Sequence, residues 1–75
     1  MLTNIDIYVI NKVREMRNTK NISQVTLANE LGISPGFIGK IESNKYRSHY
    51  NINHLNSLAK IFKCSPKDFL PEGPL

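Results

Sequence analysis

The chain has 75 residues, with ten Lys and Arg against six Asp and Glu for a net charge of +4, one cysteine and no tryptophan. A lone cysteine excludes an intrachain disulfide and a thiolate-rich zinc site, no apolar run approaches the roughly 20 residues of a membrane span, and residues 1–10 show no basic leader before an apolar core. The expectation is therefore one small cytoplasmic domain over residues 1–75, whose basic balance suits nucleic acid or serves solubility alone.

Residues 5–19 read as the first helix, capped by Asn4 or Asp6. Ile5, Val9, Val13 and Met16 make its apolar stripe, and Ile10 widens it. Lys12 and Arg14 are expected on solvated faces. Lys20-Asn21 reads as a break, and Ser23 as the cap of a second helix that begins at Gln24. Leu27, Ala28 and Leu31 form that helix's inner face. Gly32 follows where a helix tends to stop in the left-handed conformation. Ser34 is the next expected cap, with Pro35 at the first helical position. The third helix spans residues 35–42, with Ser34, Ile38 and Ile41 inward and Gly36, Lys40 and Ser43 outward. Gly39 falls at the edge and Phe37 on a flank. Two glycines on an exposed helical face mean either a weak helix or a surface that another backbone approaches closely.

Residues 44–51 form a polar loop in which Lys45, Arg47 and His49 alternate with Tyr46 and Tyr50. Such interleaving suits phosphate and sugar and is also common in solvated loops; one tyrosine is expected to anchor the loop. Residues 52–63 read as the fourth helix, capped by Asn51 or Asn53, with Ile52, Leu55, Leu58, Ala59 and Phe62 buried and Cys64 at its end. Ser65-Pro66-Lys67-Asp68 has the pattern of a capping box and opens a short fifth helix. Phe69 and Leu70 then cover the base of the core over residues 6–70, and residues 71–75 are a tail. The fold class is all-α.

Residues 23–42, a helix, a glycine turn and a second helix, resemble the Cro/CI-type helix-turn-helix family, also called the XRE type. Ser23-Gln24, Leu27-Ala28, Leu31-Gly32-Ile33-Ser34 and the run from Ile38 to Glu42 carry the resemblance. Arg17 before the motif, and Leu55, Leu58-Ala59, Phe62, Ser65 and Phe69-Leu70 after it, extend it to about residues 6–70. It implies a compact five-helix, phage-repressor-like domain whose third helix lies in the major groove of double-stranded DNA. It also implies an ion pair between Arg17 and Glu42. Pro35, Gly36, Phe37, Gly39 and Lys40 occupy the family's base-facing positions. Gln24, Ser34, Asn44, Lys45, Tyr46 and Arg47 occupy its phosphate-facing ones. None of the base-facing five is Arg, Gln or Asn, the side chains that pair bidentately with G or A, so direct readout is expected to be sparse and to rest on Lys40. Specificity would then lean on DNA shape, on two half-sites or on a partner.

The functional expectation is a transcriptional regulator, most simply a repressor that binds a near-palindromic operator as a homodimer. Ile52, Phe62, Phe69, Leu70 and Leu75 are the apolar candidates for self-association. An antitoxin-like or other protein-interaction module on the same fold is the alternative, with a toxin or regulator as partner. Catalysis is not expected. His49 and His54 lack a metal-ligand spacing, no nucleophile and base are placed together, and neither cofactor nor metal is implied. Both histidines read as surface or loop residues.

Overall fold

A computed structural model describes residues 1–75 as four α-helices followed by one turn of 3₁₀ helix. The helices are α1 (Asn4–Thr19), α2 (Gln24–Leu31), α3 (Pro35–Ser43) and α4 (Ile52–Phe62), and the 3₁₀ turn is Pro66–Phe69. The expected fifth α-helix is thus a single tighter turn. Its capping box does form, with the Ser65 N–H donating to Asp68 Oδ2 at 2.9 Å. Elongation fails because Pro71 pushes Leu70 into an extended conformation, φ −105° and ψ 151°.

Local chemistry sets the other boundaries. α1 is capped by Thr3, rather than by Asn4 or Asp6. Thr3 Oγ1 accepts from the Asp6 N–H at 3.2 Å, and Asp6 Oδ2 accepts from the Thr3 N–H at 3.0 Å. These bonds hold the Asp6 carboxyl below its usual pKa. Ser23 caps α2 through the Thr26 N–H at 3.0 Å, and Ser34 caps α3 through the Phe37 N–H at 3.1 Å. Gly32 ends α2 at φ +75°, and the next N–H, of Ile33, reaches back to the Ala28 carbonyl at 3.0 Å. Asn51 caps α4, exchanging bonds with His54 in which the Asn51 N–H donates to His54 Nδ1 at 3.0 Å. His54 therefore belongs to a helix start, and its ring also meets those of Phe37 and Tyr50.

One apolar cluster joins the elements: Val9, Ile10 and Val13 of α1, Leu27 and Ala28 of α2, Ile38 and Ile41 of α3, and Leu55, Leu58, Ala59 and Phe62 of α4, closed by Tyr50 and Phe69. The small Ala28, fully buried, lets α2 and α3 approach closely. No helix is long and apolar enough to cross a membrane.

Four expected core positions lie elsewhere. Ile5 is 41% exposed because the α1 stripe centres on Val9, Ile10 and Val13, which leaves Ile5 at its margin. Ile52 is 79% exposed, since it occupies the overhanging first turn of α4, off the centre of the face that Leu55, Leu58, Ala59 and Phe62 bury. Ser34 is exposed rather than inward: as the N-cap it has extended backbone, so helical phase does not describe it. Leu70 is exposed and only Phe69 covers the base of the core, its ring centroid 6.1 Å from that of Phe62. Among the apolar residues considered for self-association, Phe62 and Phe69 are consumed by the core, while Ile52, Leu70 and Leu75 stay exposed.

Tyr50 is the tyrosine that anchors the loop. It is buried, and its hydroxyl finds no hydrogen-bond partner. Burial pushes its pKa up, and the nearby Glu42 carboxylate adds to this. The fold thus favours neutral phenol. Its contribution is complete below the unfolded value of about 10 and is lost as pH rises toward the elevated folded value. Tyr50→Phe should raise stability at pH 7 by about 1 kcal/mol, because it removes an unpaired buried hydroxyl. It should also flatten the alkaline loss of stability by up to about 1.4 kcal/mol per pH unit above pH ~10. Urea unfolding of both chains at pH 7 and pH 11 measures both effects.

Candidate nucleic-acid interface

The site begins at Glu42, in the last turn of α3. Its side chain is 4% exposed and faces Arg17 of α1, itself 12% exposed. The two meet side-on: Arg17 Nε donates to Oε2 at 2.8 Å and Nη2 to Oε1 at 2.9 Å. Gln24, the first residue of α2, adds a third bond from Nε2 to Oε1 at 3.1 Å. A buried carboxylate is tolerable only with such complete pairing. The bonds to Glu42 also hold the Arg17 proton more firmly, raising its pKa. The remaining Arg17 nitrogen, Nη1, donates to the Ile22 carbonyl at 2.7 Å. Arg17 thereby fixes both the α1–α2 turn and the end of α3.

Arg14 was expected on a solvated face and is instead part of this assembly. Its Nη1 donates to the Glu42 backbone carbonyl at 2.9 Å, and its Nη2 to Asn11 Oδ1 at 2.7 Å. A guanidinium placed on a free carbonyl at a helix C-terminus satisfies an orphan acceptor and suits the helix dipole. The only sequence signal for it was its position one turn before Arg17. Its partner is a backbone atom, and no residue type announces that.

The inward side of α3 is thus clamped at its C-terminal end, and the opposite side is open. Pro35, Gly36 and Lys40 are exposed, while Phe37 and Gly39 are half-buried. Neither glycine answers to packing within the protein. A Cβ at Gly36 would meet nothing within 4 Å, and one at Gly39 would sit 3.7 Å from Gln24 Oε1, an ordinary contact. Asn44 follows α3 with a left-handed backbone, φ +59°, and turns the chain into the loop. Lys45, Tyr46 and Arg47 are exposed there beside α3. With Asn44 they line a cleft of about 630 Å³ whose far wall is Met1, Leu2 and Ile7. Lys40 Nζ stands over the Tyr46 ring, 5.6 Å from its centroid.

The charge of this half of the chain is one-sided. From Leu31 to Lys67 the sequence contains a single acidic residue, Glu42, and that residue is buried and paired. The exposed charges over this stretch, Lys40, Lys45, Arg47, Lys60, Lys63 and Lys67, are all cationic. Gln24, Ser34, Asn44, Lys45, Tyr46 and Arg47 flank α3, but the Gln24 side chain is occupied by Glu42 and the Ser34 hydroxyl by the Phe37 N–H. Cys64 lies apart from this face, and its thiol pKa is pushed up by burial.

A model of the helix-turn-helix domain matches residues 10–71. The chain belongs to that family. The helix-turn-helix is of the Cro/CI (XRE) type, with α2 and α3 as its two motif helices. Among solved structures, the domain is similar to the restriction-modification controller protein C.AhdI from Aeromonas hydrophila, at 23% identity and a TM-score of 0.72 over 85% of this chain and 94% of that one. It is similar to a chain of the SinR protein–SinI protein complex, at 22% identity and a TM-score of 0.70 over 85% of this chain and 61% of that one. It is also similar to part of the Co(II) form of HppE in complex with substrate, at 16% identity and a TM-score of 0.76 over 91% of this chain and 37% of that one. These likenesses establish a shared fold. No curated protein sequence matches.

The two arginines that grip Glu42 should differ in weight. Glu42→Ala leaves the part-buried Arg17 guanidinium and the Gln24 amide without their partner and should cost about 3 kcal/mol. Arg14→Ala removes one bond to a carbonyl that water can partly replace and should cost about 1.5 kcal/mol. Urea unfolding of the two variants separates them; equal losses would contradict the pairing described.

Proposed function

We propose that this helix-turn-helix domain is a DNA-binding transcriptional regulator of the cytoplasm. In this reading it acts as a repressor that lays α3 in the major groove of a near-palindromic operator and binds as a homodimer. The observation that carries the reading is the exposed side of α3. It is held out by the Glu42 clamp, carries two glycines that the fold does not demand, and is followed by a loop whose exposed charges, Lys45 and Arg47, are both cationic. A groove wide enough for one helix and bordered by phosphates complements that surface.

The roles divide by chemistry. Lys40 donates to a base edge, guanine O6 and N7 being the natural acceptors. Phe37 rests on a thymine methyl or a sugar. Pro35, Gly36 and Gly39 give the helix a low profile toward the bases. Lys45 and Arg47 neutralise phosphates on the far side of the groove, with Asn44 beside them. Gln24 and Ser34 meet the backbone at the starts of α2 and α3, Gln24 through its main-chain N–H because its side chain holds Glu42. Exposed apolar side chains such as Ile52 are available for the homodimer contact.

Two measurements test this. Affinity for duplex DNA should fall at least about tenfold per chain between 50 and 200 mM salt, the share expected of two phosphate-neutralising cations. A flat response, with no motif recovered from a random-sequence pool, would turn the reading toward a protein-interaction module. Gly36→Ala should raise stability by up to about 1 kcal/mol, yet weaken DNA binding. Unchanged affinity in that variant would remove the close approach of the α3 backbone.

A further inference from the structure

Lys40 is the one base-facing side chain with a strong hydrogen-bond donor, and no carboxylate holds it. The ion pair of the molecule is Arg17 with Glu42. A lysine on a flexible four-carbon stem with no partner sweeps a wide arc and contacts phosphate or base without preference. Here the ammonium has a partner of another kind. Its Nζ lies 5.6 Å from the centroid of the Tyr46 ring, within the range of attraction between a cation and an aromatic face.

The backbone is built to bring the ring there. The Ser43 hydroxyl donates to the Lys40 carbonyl at 2.9 Å and accepts from the Lys45 N–H at 3.3 Å. Asn44 turns the chain back at φ +59°, a conformation that asparagine tolerates better than most residues. These links fold residues 43–46 against the last turn of α3. The two tyrosines of the loop consequently differ. Tyr50 is buried in the core cluster, whereas Tyr46 is 52% exposed and lies outside it. The Tyr46 ring is therefore dispensable for the core and placed for Lys40.

We infer that Tyr46 is a positioning residue for Lys40, restricting its ammonium to one reach along the groove and so setting which base pair the domain prefers. This rests on the DNA-binding reading above, and it assigns Tyr46 a role through Lys40 in place of a phosphate contact of its own. A cation held over a ring loses less freedom on meeting a base edge, so the gain appears as discrimination at one base pair.

The test uses duplexes recovered by the wild-type chain from a random-sequence pool, together with their single-base-pair variants, titrated by fluorescence anisotropy. Lys40→Ala should flatten preference at one base pair. Tyr46→Leu should reduce discrimination at that same pair about two- to five-fold, the fold-change equivalent of a solvent-exposed cation–aromatic contact, and leave the other pairs unchanged. Tyr46→Phe, which keeps the ring, should match wild type, and Lys40→Ala combined with Tyr46→Leu should be no worse than Lys40→Ala alone. The inference is overturned if Tyr46→Phe weakens every duplex alike, the mark of a hydroxyl on phosphate, or if Tyr46→Leu leaves preference at the Lys40-dependent pair intact. It is overturned too if Lys40→Ala changes no preference. Failure of the DNA-binding reading itself would look different, as the absence of salt-dependent duplex binding by the wild-type chain.

Discussion

The Glu42 carboxylate is the constraint on which the rest of the molecule depends. Burying it is costly, and the chain meets that cost by converging three elements on it: Arg17 from α1, Gln24 from α2 and the last turn of α3 that bears it. The same residue's carbonyl takes Arg14. In so small a chain the apolar core alone leaves little margin. A carboxylate with both oxygens engaged adds direction where hydrophobic burial adds only cohesion. It fixes the rotation and tilt of α3 against α1, and so determines which of its residues face outward.

The outer face reflects the opposite economy. Gly36 and Gly39 weaken the helix, and nothing inside the molecule asks for them. The stabilising interactions lie on the clamped side and the concessions on the open side, as expected of a helix presented to a partner rather than packed away. The loop after α3 repeats the division at smaller scale, with Tyr50 inside as anchor and Tyr46 outside against Lys40.

Much of this was legible in the sequence wherever the cause is local. Ser23, Gly32, Ser34 and Asn51 mark helix ends because caps and left-handed stops depend on residues a turn away. The stripes of α2 and α4 were legible for the same reason, apart from Ile52, which lies in the first turn of α4 at the margin of the buried face. What escaped depends on distance or on backbone atoms. Thr3 as the cap of α1 was masked by two better-placed polar neighbours. Arg14 looked like any solvated arginine, because its partner is a carbonyl 28 residues away. The tie from Gln24 to Glu42 spans 18 residues and involves a side chain equally suited to phosphate. The 3₁₀ turn at Pro66–Phe69 has a sound start signal, and only the stop imposed by Pro71 keeps it from becoming an α-helix.

The central claim is that the open face of α3 and the loop after it is where DNA docks. The most direct measurement is an NMR titration of the isotopically labelled chain with a duplex recovered by selection. The account predicts that amide shifts concentrate at Gly36, Phe37, Gly39, Lys40 and residues 44–47, while Tyr8 and Lys12 of α1 and the neighbouring residues 67–70 stay put. Shifts centred on Tyr8, Lys12 and residues 67–70, with α3 unmoved, would contradict it.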